Sequence, residues 1–298
     1  MKQYIYPNSE QLFAFNIWSI ESAKAVMDAS SKLHHNVILQ TSIKAFQMLD
    51  KKELRSFVDS YEKRVGIRAF LHLDHCKEIA HIQRAVDCGW DSVMIDASDR
   101  SIEENINITK EVCSIAKEKG VLVEAEVGQI KGQEEEEHPT EEGIAKLSDV
   151  RQMLSYTDID MLAVAVGTSH GVYHGKPKIH FELLEDIAQI SKIPLVIHGG
   201  TGLEKAALLR LLSIQSVKKI NISTDVKLAY RKGIEEGIQQ GEFEEKGFDP
   251  LKICQRIHDS IEDMVMEKIA LLGEGKRDGE KDNSGFKYGN EEHPKYSI

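Results

Sequence analysis

The sequence lacks three features that would point to particular classes of protein. It contains no block of basic residues, and its formal net charge is −11, which argues against binding to the phosphate backbone of nucleic acids. No window approaches the ~20 consecutive apolar residues that a membrane helix needs. Residues 1–8 form no apolar segment of signal-peptide length. We therefore expect neither nucleic-acid nor membrane partners.

Cysteine is also scarce, and its spacing excludes the common structural uses of the residue. The chain has Cys76, Cys88, Cys113 and Cys254, and no pair has C-x-x-C spacing. A disulfide framework or a cysteine metal cluster is therefore not expected, and we interpret these residues as reduced thiols of a cytoplasmic protein. Hydrophobic residues make up 41% of the 298-residue chain and charged residues 29%, as expected of a globular protein with a substantial core.

Eight short apolar runs bounded by turn residues predict eight β-strands. Near-continuous apolar character is typical of parallel strands covered on both faces. The predicted strands span residues 12–17, 36–42, 68–75, 92–98, 121–128, 161–167, 195–200 and 219–224. Segments with helical periodicity alternate with them at residues 20–34, 51–65, 77–88, 101–119, 180–192, 204–215 and 225–240. A further amphipathic helix is predicted at residues 249–272.

This alternation predicts a (β/α)8 TIM barrel with a C-terminal helical extension. A doubly wound open sheet is the alternative. The barrel is favoured because polar side chains follow nearly all the strands rather than one switch point. We expect one barrel domain over residues 1–275 and a polar, partly disordered tail over residues 276–298. Residues 129–147 predict a long polar loop after the fifth strand, where a mobile active-site loop would lie.

Three histidines each stand at the end of a predicted strand, namely His75, His170 and His198. The carboxyl ends of barrel strands face one mouth, and three protein ligands leave a coordination position of a metal free for substrate. Asp74 directly precedes the first histidine, and where a strand gives way to a loop both side chains can turn toward the mouth. A carboxylate beside a metal-bound imidazole can act as a general acid/base.

Glycine-rich turns follow the second and third histidines. His170 is flanked by glycines, His198 is followed by G-G-T-G (199–202), and the eighth strand ends in N-I-S-T (221–224). Backbone amides of such turns suit an anion. Phosphate sites after strands seven and eight recur in barrels. The sequence therefore predicts a phosphate site beside the histidines.

Carboxylates occur on two further strands. Asp96 ends the fourth strand, and Glu124 and Glu126 share one face of the fifth. Because outward positions would meet apolar helices, we expect these side chains inside the barrel or at its rim. Asp96 and Glu126 would hold a second cation or orient the histidines. In the acidic run 134–137, three of the four glutamates are interpreted as a solvated loop.

Six short motifs occur in a characteristic order along the chain. They are D-H at residues 74–75, then S-V-M-I-D, E-A-E-V-G, G-T-S-H-G-x-Y, H-G-G-T-G and N-I-S-T-D. This order resembles the metal-dependent (class II) ketose-bisphosphate aldolases, of the fructose- and tagatose-bisphosphate aldolase type, over roughly residues 12–270. The resemblance implies an aldehyde-lyase of carbohydrate metabolism, as in glycolysis. Such an enzyme cleaves a ketose 1-phosphate or 1,6-bisphosphate to dihydroxyacetone phosphate and an aldehyde.

The resemblance also implies a role for each matching residue. A catalytic zinc ion would be held by His75, His170 and His198, and a second divalent position by Asp96 and Glu126. Proton transfer would fall to Asp74 at the C4 hydroxyl and to Glu134 at the dihydroxyacetone-phosphate carbon. Dihydroxyacetone phosphate, beside a monovalent cation (Na+ or K+), would be bound by Gly171, Gly199, Gly200, Thr201, Asn221, Ser223 and Thr224. Asn16 and Ser42 match polar residues near the reacting carbonyl.

One position departs from the family pattern. Family members usually carry an arginine after the D-P motif near the C-terminus, where it reaches the far phosphate from a neighbouring subunit. This chain has Leu251 instead. Loss of a bidentate donor should weaken binding of a second phosphate unless Lys252 or Arg256 takes its place. The resemblance further implies a homodimer or homotetramer.

Two other functions are compatible with parts of the pattern. A barrel metallohydrolase would use the same histidines to activate water, but no H-x-H pair ends the first strand and the anion-binding turns would have no use. A catalytically silent sugar-phosphate binding protein would not need Asp74 together with all three histidines. The aldolase interpretation is favoured over both.

Overall fold

The computed structural model describes residues 10–130, 143–171, 173, 175, 177–244, 246 and 248–281. Eight β-strands form within these ranges: β1 (Leu12–Asn16), β2 (Val37–Thr41), β3 (Ala69–Cys76), β4 (Ser92–Ile95), β5 (Leu122–Val127), β6 (Met161–Val164), β7 (Leu195–Ile197) and β8 (Val217–Ile222). Neighbouring strands pair in parallel in sequence order, and β8 also pairs with β1. The predicted TIM barrel is therefore confirmed, because an open sheet would leave β1 and β8 unpaired.

Helices follow the strands and cover the outside of the barrel. They are α1 (Ile20–Lys32), α2 (Ile43–Met48), α3 (Lys51–Val65), α4 (Ile79–Asp87), α5 (Ile102–Lys117), α6 (Leu147–Tyr156), α7 (Phe181–Ile190), α8 (Lys205–Ser213), α9 (Thr224–Gln239) and α10 (Pro250–Lys281). Local sequence sets several of their ends. Ser19 and Ser101 form capping boxes at the starts of α1 and α5, and Gly66, at φ 74°, ends α3.

The structure differs from the predicted bounds in a few places. Helices α2 and α6 were not predicted, because α2 has only six residues and α6 buries only Val150 and Met153, too few to give a period. Strand β7 ends before the predicted residue 200, since Gly199 turns the chain with φ 71°. Helix α10 confirms the predicted C-terminal extension but continues to Lys281 rather than 272.

Apolar side chains form one cluster on each side of the barrel wall. Successive side chains of a strand point to opposite faces of the barrel wall. In β5, Val123, Ala125 and Val127 point outward and belong to the cluster between the barrel and the helices. The cluster inside the barrel is smaller and consists of Leu12, Ala14, Ile38, Phe70, Met161, Ala163 and Val196. The interior therefore has an apolar part, and polar side chains fill the part nearer the carboxyl ends of the strands.

Helix α10 closes the outer layer by packing on α1, α8 and α9. It buries Ile261, Val265, Ile269 and Leu272. In the part of the chain that the structure describes, no helix is both long and apolar enough to cross a membrane. The four cysteines are free thiols.

Candidate active site at the barrel mouth

The three strand-end histidines meet at one end of the barrel. One ring nitrogen from each of His75, His170 and His198 lies within 4.8 Å of the others. The Nε2 atom of His75 is 2.8 Å from the Nδ1 atom of His198. The ring centroid of His75 is 4.8 Å from that of His170. Three nitrogen donors gathered in this way are suited to one metal ion.

An irregularity at the end of β3 turns Asp74 and His75 to the same mouth. The register of β3 against β4 shifts between Leu73 and Cys76, and His75 has a φ of 46°. Between the pairs formed by Leu73 and Cys76, β3 has one residue more than β4. Left-handed backbone is uncommon outside glycine, and together with the extra residue it marks a β-bulge. The bulge interrupts the alternation of the strand, which explains how two successive side chains reach one site. Such strain is often found at functional positions.

Asp74 is buried beside the histidines and is held from two sides. Its Oδ1 atom accepts a hydrogen bond from Nδ2 of Asn221 at 3.2 Å, and its Oδ2 atom accepts one from Nε2 of Gln40 at 3.3 Å. Burial opposes ionisation, but the positive charges of His75 and Lys219 outweigh it and lower the pKa of Asp74. An ionised, positioned carboxylate is suited to accept a proton from a substrate.

Asp96 and Glu126 lie at the same mouth but have different contacts. Asp96 accepts a hydrogen bond from Nδ1 of His75 at 2.8 Å, which leaves Nε2 of that ring as the donor atom for a metal. Glu126 accepts the backbone N–H of Ile130 at 3.1 Å through Oε1. Its buried Oε2 atom, 3.7 Å from Nδ1 of His198, has no hydrogen-bond partner. A buried carboxylate oxygen without a partner fits the neighbourhood of a cation.

The charges around the histidines favour a cation at the cluster. Burial disfavours a charged imidazole at His75, but Asp74 and Asp96 outweigh it and raise the pKa of His75 to about 10. Burial and then the neighbouring histidines lower the pKa of His170 to about 3. Burial and then the Asp96 charge raise the pKa of Glu126 to about 8. A negative field that stabilises positive charge at His75 would equally stabilise a metal cation held by the three ring nitrogens, so the residues present fit zinc.

Polar residues below the cluster were not predicted to have a role. Glu124 accepts a hydrogen bond from Nε2 of His198 at 2.8 Å, and the Nζ atom of Lys219 donates to Glu124 at 2.6 Å. The sequence does carry a weak signal for both residues. Each lies two positions before an inward-facing site residue, Glu126 and Asn221, and side chains two apart share one face of a strand.

Hydroxyl groups tie together the turns that follow β6, β7 and β8. The Tyr173 hydroxyl accepts the N–H of Ser169 at 3.0 Å and donates to the carbonyl of Gly199 at 2.7 Å. The Thr201 hydroxyl accepts the N–H of Ser223 at 3.3 Å. The predicted phosphate-binding turns are thereby held next to one another and next to the histidines.

The predicted phosphate-binding residues Gly171, Gly200 and Thr224 differ in their roles within these turns. Gly171 has a φ of 96° and follows His170 directly. The amide of Gly200 already donates to the carbonyl of Asn221 at 3.0 Å, and a side chain there would meet Ile220 at 2.6 Å. Gly200 therefore serves close packing, and its amide is engaged. Thr224 is the first residue of α9, a position that favours bound anions.

Asn16 and Ser42 lie at the carboxyl ends of β1 and β2. The Oδ1 atom of Asn16 accepts a hydrogen bond from Nε2 of Gln40 at 2.7 Å, so Gln40 joins Asn16 to Asp74. The side-chain Oε1 atom of Gln40 is buried without a hydrogen-bond partner. Ser42 caps α2 by accepting the N–H of Ala45 at 3.4 Å. Gln40 was not predicted, because an amide inside a strand does not stand out in sequence.

Two further sequence-based expectations concern Glu134 and the start of α10. Glu134 lies outside the described residues, and its role stays a prediction. Leu251 lies in the first turn of α10 and is 76% exposed. Arg256, one possible substitute for the missing arginine, donates two hydrogen bonds to Glu242 at 2.5 and 2.8 Å. It is therefore engaged within its own chain.

Comparisons with known proteins agree with this arrangement. The model of the family described as "Fructose-bisphosphate aldolase class-II" matches residues 3–277. The chain is 32% identical over 285 residues to the fructose-bisphosphate aldolase of Staphylococcus aureus (strain Mu50 / ATCC 700699), covering 93% of this chain and 98% of the relative. It is 28% identical over 276 residues to the sulfofructosephosphate aldolase of Alkalicoccus urumqiensis, covering 92% and 94%.

A solved structure shows the same similarity in three dimensions. The crystal structure of the YdjI aldolase from Escherichia coli K12 superposes with a TM-score of 0.75 at 26% identity, covering 90% of this chain and 93% of that chain. The family match extends over nearly the whole sequence, including every described residue of the barrel mouth. The protein is therefore an aldehyde-lyase that belongs to the class II fructose-bisphosphate aldolase family.

Proposed function

We propose that this protein is a zinc-dependent aldolase acting on a ketose 1-phosphate or 1,6-bisphosphate. The observation that carries the proposal is the meeting of buried Asp74 with the three histidines at one barrel mouth. Zinc would be held by Nε2 of His75, Nδ1 of His198 and the ring of His170. When bound, it would supply Lewis-acid polarisation of the substrate carbonyl.

Asp74 would act as the base in the cleavage direction. Its carboxylate takes the proton of the C4 hydroxyl, the C3–C4 bond breaks, and the C4 oxygen becomes the carbonyl of the departing aldehyde. The electron pair of the broken bond stays with the three-carbon fragment and is delocalised toward its carbonyl oxygen. Gln40 and Asn221 keep the carboxylate in place through the hydrogen bonds described above. Proton transfer to the three-carbon fragment is assigned to Glu134 by family resemblance alone.

The turns after β6, β7 and β8 would bind the phosphate of dihydroxyacetone phosphate. This role is supported by the left-handed glycines Gly171 and Gly199, and by Ser223 and Thr224 at the start of α9. A phosphate beside the first turn of a helix is stabilised by free N–H groups and by the helix dipole. A monovalent cation near these turns, and a second divalent ion at Asp96 and Glu126, are further parts of the proposal.

The substrate beyond the dihydroxyacetone-phosphate half is expected to lack the usual arginine contact. Leu251 offers no donor, and Arg256 is bound to Glu242. Lys252, an exposed residue at the start of α10, is the remaining candidate donor, so any second phosphate would be bound more weakly than by an arginine. Dimers or tetramers, in which the start of α10 would approach a neighbouring mouth, are proposed from family resemblance.

A coupled assay for dihydroxyacetone phosphate tests the proposal. Fructose and tagatose phosphates, each with one and two phosphates, form the panel. A sulfonated ketose phosphate is added because one relative is a sulfofructosephosphate aldolase. We expect release that EDTA abolishes and zinc restores. Absence of release from every substrate would overturn the aldolase assignment, and release that persists in EDTA would overturn the metal role. Turnover also distinguishes the enzyme from a silent binding protein.

Replacing Asp74 separates the base from the metal ligands. We expect Asp74→Asn to bind zinc as the wild type does, because Asp74 is not among the clustered nitrogen donors. Its turnover should fall by roughly 10²–10⁴-fold, the usual contribution of a general acid/base. Zinc content after gel filtration and the rate of aldehyde release are the two measurements. Loss of zinc from the variant would show that the carboxylate is a ligand instead.

A further inference from the structure

Below the histidine cluster, five fully buried polar side chains form one continuous chain of contacts. The Oγ atom of Ser92 is 2.8 Å from Nδ1 of His72, and Nε2 of His72 is 3.0 Å from Nζ of Lys219. Lys219 is 2.6 Å from Oε2 of Glu124, whose Oε1 atom is 2.8 Å from Nε2 of His198. The chain therefore begins deep in the barrel and ends at one of the three clustered histidines.

The chemistry of these groups fixes the direction of every hydrogen bond. An ammonium group only donates, so Lys219 donates to Nε2 of His72 and to Glu124. His72 must then donate its Nδ1–H to the hydroxyl of Ser92. A carboxylate only accepts, so Glu124 accepts the Nε2–H of His198. The Nδ1 atom of His198 is left with its lone pair toward Nε2 of His75, 2.8 Å away.

The charge states of Glu124 and His72 agree with these directions. Burial opposes the negative charge of Glu124, but the Lys219 ammonium and the His198 hydrogen bond outweigh it and hold the pKa of Glu124 well below its usual range. Burial, and then the Lys219 charge, lower the pKa of His72 to about 3. His72 is therefore neutral and free to accept from Lys219.

The position of this ion pair argues against a purely structural purpose. Barrel interiors are usually filled with branched apolar side chains, and the neighbouring interior positions here are apolar, including Ile38, Phe70 and Met161. A buried ion pair often adds no stability over apolar residues of similar volume. Here the charged pair lies immediately beneath the cluster, where it contacts a candidate ligand.

We propose that the buried Lys219–Glu124 pair is a positioning device for the metal centre, fixing the His198 ring so that Nδ1 faces the cluster. Neither residue has the metal or the substrate as its partner. Lys219 holds the carboxylate, and the carboxylate holds the imidazole. The inference rests on the proposed function only in taking the histidine cluster as a zinc site. Partners of this kind typically change metal affinity by about 10–100-fold when removed.

Two double variants test the proposal without leaving a lone buried charge. Lys219→Met/Glu124→Leu removes the charges and the acceptor for His198. Lys219→Met/Glu124→Gln also removes the charges but keeps a carbonyl oxygen that can accept the Nε2–H. Zinc affinity is measured by competition with a chromogenic chelator, and folding by circular dichroism and thermal melting. The visible spectrum of the cobalt(II)-substituted protein reports the ligand geometry.

We expect the leucine variant to fold, to lose about 10–100-fold in zinc affinity and to show an altered cobalt spectrum. The glutamine variant should stay within a few-fold of the wild type. Wild-type affinity in both variants would overturn the proposal, and so would equal losses in both, because the acceptor would then be irrelevant. If the leucine variant fails to fold, Lys219→Met/Glu124→Met takes its place, because methionine also offers no oxygen acceptor to Nε2–H of His198, and the same outcomes support or overturn the proposal.

The wild-type protein separates this inference from the proposed function. A wild type that binds no zinc overturns the zinc role and the inference together. A wild type that binds zinc, with unchanged affinity in the leucine variant, overturns the inference alone and leaves the zinc-dependent aldolase standing.

Discussion

Asp28 lies where α1, α3 and α10 meet, and three side chains donate to its carboxylate. They are Lys24 at 2.5 Å, the hydroxyl of Tyr61, and Nε2 of His258 at 3.0 Å. Burial would raise the pKa of Asp28, but these hydrogen bonds outweigh it and hold the pKa below the usual value of 3.8. A depressed carboxyl pKa stabilises the folded state above the unfolded pKa, and this stabilisation is lost as pH falls through the folded value.

Replacing Asp28 should therefore cost stability in a pH-dependent way. We expect Asp28→Asn to lower the free energy of unfolding by about 1–2 kcal/mol at pH 7, with the difference from wild type shrinking below about pH 4. Urea denaturation at pH 7, 5 and 3.5 measures it. Asp158→Asn is the control, because Asp158 is 84% exposed and such pairs contribute little. A difference that does not change with pH would contradict the explanation.

Single residues also show what sequence could and could not reveal about the site. The three histidines and Asp74 were predictable because each stands where an apolar run stops, and a polar group there faces the mouth. Lys219, Glu124 and His72 were not predictable as a functional group. Glu124 was expected inside the barrel or at its rim, but nothing in the sequence pairs it with Lys219 or His72. Only the contacts between strands far apart in sequence show that the three side chains are linked.

At the scale of elements, the eight strands were predictable because apolar runs between turn residues are unambiguous in a parallel barrel. The ends of the strands were less predictable. The predicted strand at 195–200 includes residues that form the turn after β7, since glycines adjoining an apolar run do not reveal where pairing stops. Helix α6 escaped prediction because it buries few residues. Its packing is decided by tertiary contacts rather than by a strong apolar stripe.

The turns after β6 and β7 approach so closely that Gly199 is a specific requirement. It has a φ of 71°, and a Cβ there would lie 2.4 Å from the carbonyl oxygen of Ser169. We expect Gly199→Ala to push apart the turns bearing His170 and His198, with at least about a tenfold loss of zinc affinity, as when ligand orientation is disturbed. Chelator competition measures the affinity.

Gly202 provides the matched control for this substitution. It has a nearly identical φ of 70°, but a Cβ there would meet only Tyr173, at 3.5 Å. Gly202→Ala should therefore cost only the left-handed backbone penalty, roughly 1–2 kcal/mol of stability, and should keep its zinc affinity. Equal zinc affinities for the two variants would show that the close approach of Gly199 to Ser169 does not affect zinc binding.

For the whole molecule, α10 packs on α1, α8 and α9, and we expect it to unfold together with the barrel. Ile269 is 1% exposed in its contact with the other helices, while Leu251 in the same helix is 76% exposed. We expect Ile269→Ala to lower the free energy of unfolding by about 2–5 kcal/mol and Leu251→Ala to change it by less than about 0.5 kcal/mol. Chemical denaturation compares them, and two separate transitions would show instead that α10 unfolds on its own.

The bulge at the end of β3 has a consequence for how the site responds to thermal motion. Asp74 and His75 are successive residues, so their Cα atoms stay about 3.8 Å apart whatever the surrounding strands do. His170 and His198 reach the same place from β6 and β7, and only hydrogen bonds and packing set their distance from β3. Warming should thus disturb the geometry among the three imidazoles before it separates Asp74 from His75. The proposed proton-transfer group and one proposed metal ligand are therefore held together by the covalent backbone.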